Sequence, residues 1–391
     1  MARCRLLPGK EKRVAAGHPW IYRTEIDRVE GDYTPGDMVD VVSAKGRFLA
    51  RAYYNPASMI SLRIMTYQEE PVDGDFIFRR IREAVEYRRG FADMGSCRMI
   101  FAESDRLPAL ICDSFGEVLV LQFLSLGMDR FRQPVVEALQ SLLRPAGIYE
   151  RSDVPVRKLE GLEERTGLLY GNVPDLVEFR ENGLRLRVDV KKGQKTGYFL
   201  DQKENRAAIA PFVKGARVLD CFSHVGGFAL HAGMYGAAEV TGVDISGEAV
   251  AHAALHARMN GLEDRVRFTE ANCFDFLREQ EKAEERYDVV ILDPPAFTKS
   301  RASVPGALRG YKEINLRGMK LLREGGILVT CSCSQHVRPD AFREVVGAAA
   351  RESRHILRRI AGRTQGMDHP VLAAAPETEY LKCLFEQVWE K

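Results

Sequence analysis

GARVLDCFSHVGGFALHAGMYGAAEVTGVD, residues 215–244, is the stretch from which the architecture follows. Arg217 to Asp220 reads as a short buried strand, Ser223 to Gly227 as a glycine-bearing turn, and Phe228 to Tyr235 as a helix opening out of that turn. Glu239 to Asp244 gives a second strand ending in a carboxylate. A strand, a turn whose glycines let backbone approach a ligand, a helix N-terminus and an acid after the next strand make the first half of a doubly wound nucleotide site. The acid is placed for ribose hydroxyls.

Two chemistries share this layout. A dinucleotide oxidoreductase needs G-x-G-x-x-G, so that amide N–H groups and the helix dipole hold a pyrophosphate. Here Asp220 precedes the turn and only Gly226 and Gly227 supply glycine. A carboxylate at the strand end repels a pyrophosphate but suits the positively charged amino-acid end of S-adenosylmethionine. The residues therefore point to a methyl-donor site, with an ordinary strand, turn and helix packed on two glycines as the bland alternative.

At 391 residues the chain is long enough for two or three domains, each with a core of its own. A net charge of +2 excludes neither nucleic acid nor small molecules, so only local charge is informative. The eight cysteines include no C-x-x-C pair and no His partner at zinc spacing, so free thiols in a reducing compartment are expected, and no metal. The first ten residues are basic but lack an apolar signal region, and no apolar run reaches the ~18 residues of a membrane span. A soluble, cytoplasmic protein without membrane contact is expected.

Residues 1–70 are short, turn-punctuated and β-like, which predicts a small barrel. Its first two dozen residues carry Arg3, Arg5, Lys10, Lys12, Arg13 and Arg23 against Glu11 alone, interleaved with His18, Trp20 and Tyr22. Cations neutralise phosphate and flat rings stack on bases, so an RNA surface is one reading. A solvated charged edge over core aromatics is the other, and composition does not separate them. Residues 71–176 read as a linker domain. It begins with a helix, Phe76 to Phe91, that places Ile77, Ile81, Ala84, Val85 and Tyr87 on or near one face and Arg79, Arg80, Arg82, Arg88 and Arg89 on the other. Strands follow over 109–113, 117–123 and 147–151, with a helix over 134–143. Residues 177–391 alternate strands and helices, as a doubly wound sheet requires. Strands are predicted over 184–188, 266–268, 287–292 and 326–330, and helices over 203–210 and 248–260.

Ligands of open parallel sheets lie beyond the carboxyl ends of the strands. Asp293-Pro294-Pro295-Ala296-Phe297 occupies one such end; two prolines stiffen the exit, so the carboxylate is held toward a flat substrate. Thr330-Cys331-Ser332-Cys333-Ser334 occupies the next. Carbon 5 of cytosine attacks a sulfonium methyl group only after a thiolate has added at carbon 6, and an unperturbed thiol at pKa ~8.5 is mostly protonated near neutrality. Strand-end cysteines are also common packing residues.

Taken together, Lys195-Thr196-Gly197-Tyr198-Phe199-Leu200-Asp201-Gln202, Asp220 to Phe228, Asp293 to Phe297, Arg309 to Asn315, Ser332-Cys333-Ser334 and Asp368-His369-Pro370 resemble the bacterial 23S ribosomal RNA cytosine-C5 methyltransferases with an N-terminal PUA domain. The resemblance spans nearly the whole chain, including His18-Pro19-Trp20-Ile21-Tyr22. It implies an α/β chain made of a PUA-like barrel, a central α/β domain and a class I methyltransferase sheet. It implies Cys333 as nucleophile, Cys331 as an incidental neighbour, and Asp293 at the cytosine N3/N4 edge. S-adenosylmethionine is the implied cofactor, with Asp244 on its ribose, Asn272 on its adenine, Ser223, Gly226 and Gly227 on its methionine part, and Gln202 closing over it. Asp220, Phe222, Ile245 and Pro294 complete those surroundings. Arg3, Lys10, Lys12, Arg13, Trp20, Tyr22 and Lys195 form the expected RNA-binding set for the large-subunit 23S RNA partner. A homodimer is compatible with the sequence, which fixes no oligomeric state.

Two positions depart from related RNA methyltransferases. Ala296 stands where many carry a second cysteine, which leaves the base for the C5 proton unassigned, and Asn272 stands where Asp is usual. Two other functions remain open at this stage. Methylation of an exocyclic guanine or adenine amine would use Asp293-Pro294-Pro295 and Phe297 without a thiol, and an assembly factor would use the fold for RNA binding alone.

Overall fold

The computed structural model describes all residues, 1–391. They divide into two compact units, one of residues 1–180, 187–201 and 367–378, the other of 181–186, 202–366 and 379–391.

The first unit carries two sheets. Strands β1 (Arg3–Leu6), β2 (Trp20–Ile21), β3 (Ile26–Glu30), β4 (Met38–Val42), β5 (Phe48–Tyr54) and β6 (Leu62–Thr66) form a six-stranded sheet in the order β2-β6-β5-β4-β1-β3. Alternate residues face one way along these strands, so Cys4, Leu6, Val39, Val41, Ala50, Ala52, Leu62 and Ile64 fill one core. Strands β7 (Ser96–Phe101), β8 (Leu110–Phe115), β9 (Val118–Phe123), β10 (Gly147–Ser152) and β11 (Arg165–Gly171) make the second sheet, ordered β11-β10-β9-β8-β7. The helix Gly74–Arg89 starts where the Asp73 carboxylate accepts from Phe76 N at 3.0 Å and lays Phe76, Ile77, Ile81 and Val85 into the core beside it.

That helix corrects the expected faces. Arg80 and Arg88 are buried with the apolar residues, while Tyr87 is exposed. Positions 77, 81, 84, 85 and 88 are spaced as one helical stripe, so the backbone puts Arg88 inside whatever its charge. Burial is tolerated because Asp105 takes its guanidinium through two bonds of 2.7 and 2.8 Å and the Asp368 carbonyl accepts a third at 2.8 Å. The segment Met367–Thr378 thereby packs into the first unit.

Strands β12 (Val177–Glu181) and β13 (Leu184–Val188) form a two-stranded hairpin across Asn182 and Gly183, both at positive φ, as a tight turn requires.

The second unit is built on a seven-stranded sheet of β14 (Arg217–Cys221), β15 (Glu239–Asp244), β16 (Val266–Glu270), β17 (Tyr287–Leu292), β18 (Leu322–Ser332), β19 (His355–Arg363) and β20 (Lys382–Glu390). Its order is β16-β15-β14-β17-β18-β20-β19, with β14 to β18 mutually parallel and β20 antiparallel to both neighbours. The chain runs outward from β14 to one side and then returns to start β17 on its other side. That reversal opens a crevice at the carboxyl ends of β14 and β17. Sequence periodicity missed β19 and β20: β19, reached through the helix Pro339–Ser353, is rich in charge and only weakly alternating, and β20 is buried almost continuously. Leu219, Val290, Leu292, Leu328, Ile314, Met319, Phe342 and Val346 belong to one core of sheet and helices. Burying each such side chain contributes ~1.5–3 kcal/mol.

Candidate active site

Asp220, one residue before the end of β14, has none of its surface exposed. One oxygen accepts from Ala229 N at 2.9 Å, inside the helix Gly227–Met234 that follows the turn. The other oxygen has no partner. Burial first, and then repulsion from Asp293, push this carboxyl well above the usual carboxylate range. A buried acid with an unmet oxygen is a receptor for a cation, and the Ser223 hydroxyl, also buried and without a partner, adds a second unmet polar group on the same turn. The ammonium-bearing methionine end of S-adenosylmethionine fits that need.

The turn is held in an unusual path. Phe222, His224 and Gly226 have φ of 65°, 49° and 88°. A side chain on Gly226 would meet Phe268 Cζ at 2.7 Å, so only glycine fits there. Phe222 and His224 hold this conformation at a cost of ~1–3 kcal/mol each. They are fixed by donation from Phe222 N to Cys273 Sγ at 3.2 Å and from His224 N to Asp244 at 2.8 Å. The second oxygen of Asp244 accepts from Ser246 N at 3.0 Å. Each carboxylate oxygen keeps a further lone pair for another donor. Gly227 comes close to Arg206, which in turn pairs with buried Glu181 at 2.7 Å.

Ile245, next to Asp244, is 68% exposed. Asn272 caps the helix Cys273–Lys282, its Oδ1 accepting from Phe274 N at 2.9 Å. With Oδ1 used in the cap, Nδ2 is the end of the amide left to donate.

Asp293, at the end of β17, accepts from Gln202 Nε2 at 2.9 Å. Gln202 Oε1 accepts from Asn205 at 2.7 Å, and Asn205 Oδ1 from Arg363 Nε at 2.9 Å. This relay fixes the Gln202 amide with its donor end toward the carboxylate. Pro294 follows, buried.

Of the eight cysteines, Cys333 alone is not buried. Its sulfur lies 4.0 Å from the Pro294 carbonyl oxygen, so β17 and β18 bring thiol and Asp-Pro-Pro loop together. Cys331 is fully buried opposite Cys383, and burial holds its thiol well above the ordinary value. Sequence reasoning assigned no role to two further residues. The Tyr311 hydroxyl accepts from Ser332 Oγ at 2.9 Å and bonds Ser334 Oγ at 2.8 Å, clamping both neighbours of Cys333. A backbone bond from Phe297 reaches the same phenol, tying in the other loop. Lys382, at the start of β20, donates from Nζ to the Ser334 and Tyr380 carbonyls at 2.8 and 2.9 Å.

In the first unit, Arg3, Lys10, Lys12 and Lys195 are exposed. Arg13 lies 5.1 Å over the Tyr22 ring and bonds His18, and Trp20 donates from its indole to Glu103 at 2.8 Å. These three are engaged within the fold. No group of three or more His, Cys, Asp or Glu could hold a metal ion, and no helix is long and apolar enough to cross a membrane.

A model of a PUA-like domain matches residues 5–67, and a model of S-adenosylmethionine-dependent methyltransferases matches residues 163–375. The ribosomal RNA large subunit methyltransferase I of Shewanella denitrificans is 42% identical over 394 residues, covering 99% of this chain and 99% of its own. The protein of that name from Aeromonas salmonicida is 42% identical over 385 residues, with 97% of each chain covered. Among solved structures, a chain described as a SAM-dependent methyltransferase from Streptococcus mutans superposes with a TM-score of 0.84 at 20% identity, over 99% of this chain and 100% of that one. At that identity the likeness concerns the fold.

Proposed function

This chain belongs to the family of S-adenosylmethionine-dependent ribosomal RNA large subunit methyltransferases, and we propose that it forms 5-methylcytosine in 23S ribosomal RNA through a covalent adduct between Cys333 and carbon 6 of the target base. The single observation that carries this reading is the thiol: only Cys333 escapes burial, and it does so beside the Asp293-Pro294 loop.

Cys333 adds to carbon 6 as a thiolate, and Asp293, oriented by Gln202, holds the N3/N4 edge while N3 gains a proton. Electron density then reaches carbon 5. Bound S-adenosylmethionine supplies the electrophilic methyl group. Loss of the C5 proton to solvent, return of the proton gained at N3 and rupture of the Sγ–C6 bond restore the thiolate and release the methylated base, with S-adenosylhomocysteine as the other product. Asp220 and Ser223 meet the cofactor's methionine end with their unmatched atoms, with Gly226 and Gly227 letting it approach. Asp244 accepts from the ribose, Asn272 donates to the adenine, and Phe222, Ile245 and Pro294 supply apolar surface.

We assign RNA grip to residues 1–70 through exposed Arg3, Lys10 and Lys12, aided by Lys195, a linking role to 71–176 and methyl transfer to 177–391. A ribosomal RNA substrate implies a cytoplasmic reaction. Exocyclic-amine methylation is disfavoured, because the Phe297 ring is packed 4.6 Å from Tyr311 and 5.9 Å from Phe274 rather than standing ready to stack on a base.

The test is to digest 23S RNA methylated by the purified enzyme and identify the nucleoside by mass. 5-Methylcytidine is expected with the wild type, and its loss, by at least ~10³-fold in rate, with Cys333→Ala. A methylated purine, or undiminished transfer by that variant, overturns the proposal.

A further inference from the structure

Accepting Cys333 as the nucleophile raises the question of what keeps it ionised. The sequence motif around Cys333 names no group for that task. The strand pairing does. In the antiparallel register of β18 and β20, Lys382 stands directly opposite Ser332, one residue before Cys333. Its side chain is buried, with 6% of the residue exposed. Of its three N–H donors, two go to the Ser334 and Tyr380 carbonyls, which leaves the third without a protein acceptor. It forms no ion pair with any carboxylate, although Glu379 lies within its electrostatic reach. A buried ammonium that has no carboxylate partner is costly unless another anion compensates it.

We propose that Lys382 is the counter-ion of Cys333: its buried ammonium, anchored on the carbonyls flanking the nucleophile loop, faces the sulfur and holds it as a thiolate, while the thiol proton passes to solvent.

The surrounding charges make such a partner necessary. Asp293, carried on the adjacent loop, opposes a second negative charge, and Tyr311, which also feels Cys333, is neutral because burial lifts its phenol above the ordinary value. Cys331 and Cys383 are buried, and burial keeps the Cys331 thiol protonated. Lys382 is a cation whose charge acts on the sulfur. Burial lowers its own pKa to about 8, and interaction with Cys333 works in the opposite direction. The ammonium persists below that value and is lost above it, so the thiolate is supported between the thiol's pKa and about 8. Lys382 does not touch substrate in this scheme. It acts through Cys333.

The experiment is the pH dependence of Cys333 alkylation by iodoacetamide in the intact protein, read at the Cys333 peptide by mass spectrometry. In the wild type the thiol should titrate below the ordinary ~8.5. Lys382→Met should move that midpoint up by about one unit, which lowers the alkylation rate near pH 7 roughly tenfold, and Lys382→Arg should restore most of it. The methyl-transfer pH profile should shift in parallel. A wild-type midpoint at or above the ordinary value overturns the proposal without any variant, which covers the case of Lys382→Met failing to fold. An unchanged midpoint in a folded Lys382→Met, alongside an inactive Cys333→Ala, overturns the counter-ion and leaves the nucleophile standing. Activity surviving in Cys333→Ala overturns the nucleophile itself.

Discussion

Asp220 is a buried carboxyl whose cost to the fold the proposed cofactor contact would offset. Its unmet oxygen and raised carboxyl pKa mean that the folded chain binds a proton more tightly at this group than the unfolded chain does. The stability it contributes is therefore full below the unfolded value of ~3.9 and is lost as pH rises through the higher folded value. A cation arriving at the carboxylate reverses that balance and expels the proton. Binding of S-adenosylmethionine should accordingly release protons at pH values below the raised pKa, seen as a calorimetric heat that varies with the ionisation enthalpy of the buffer. Asp220→Asn should abolish that buffer dependence and weaken binding by about ten- to a hundredfold, while leaving thermal stability equal or higher, since only the charge is removed. A buffer-independent heat in the wild type would contradict the assignment. Position made Asp220 and Asp293 legible in the sequence, because each follows a run that reads as a strand. Lys382 was not legible. Its meaning depends on a partner fifty residues earlier, Ser332, that only the antiparallel strand brings opposite it.

At the scale of elements, the strand, turn and helix of residues 215–244 were readable because their signals are local: apolar run, glycines, second run, acid. The clamp between the loops that follow β17 and β18 was not. The helix Val304–Lys320 carries Tyr311 up to the ends of β17 and β18, where its hydroxyl joins Ser332, Ser334 and the Phe297 backbone. Arg309 to Asn315 could be quoted as a motif, but nothing in its spacing says that the tyrosine points at a cysteine loop. Removing the hydroxyl leaves two buried serine groups short of a partner, so Tyr311→Phe should cost about 1–3 kcal/mol in denaturant unfolding. It should also loosen the distance between Cys333 and Asp293. The expected kinetic signature is a fall in kcat of about tenfold or more with S-adenosylmethionine affinity unchanged, because the glycine turn is elsewhere on the sheet. Equal losses in both would mean that the hydroxyl supports the whole unit and not the loops. The helix Gly74–Arg89 teaches the same lesson from the other side: its stripe was legible, but the burial of Arg88 depends on Asp105 and on the Asp368 carbonyl, long-range partners that no window of sequence contains.

For the molecule as a whole, a formal charge of +2 spread over 391 residues produces little long-range attraction for RNA, so affinity must come from local clusters. The sequence reading offered seven residues for that purpose, and the structure separates them by what each side chain is already doing. Trp20 is bonded to Glu103, and Arg13 and Tyr22 are engaged with each other, so their loss should be felt mainly in folding. Arg3, Lys10 and Lys12 are exposed and should be felt in binding. Composition could not draw this line, because which side chains meet, as Trp20 meets Glu103, is set by the fold. Replacing Arg3, Lys10 and Lys12 together by Ala should reduce the slope of log affinity against log salt by about 2 to 3, given ~0.7–0.9 counterions released per neutralised phosphate. The rate at saturating RNA and the affinity for S-adenosylmethionine should both hold, so that the loss appears in KM for RNA. Filter binding across a salt series, with the same preparations assayed for methyl transfer, measures both quantities. An unaltered slope would remove these cations from the RNA interface and shift the search to Lys195 and the basic residues outside the barrel, whereas a matching loss in Trp20→Phe would show that the indole reaches the RNA despite its bond to Glu103.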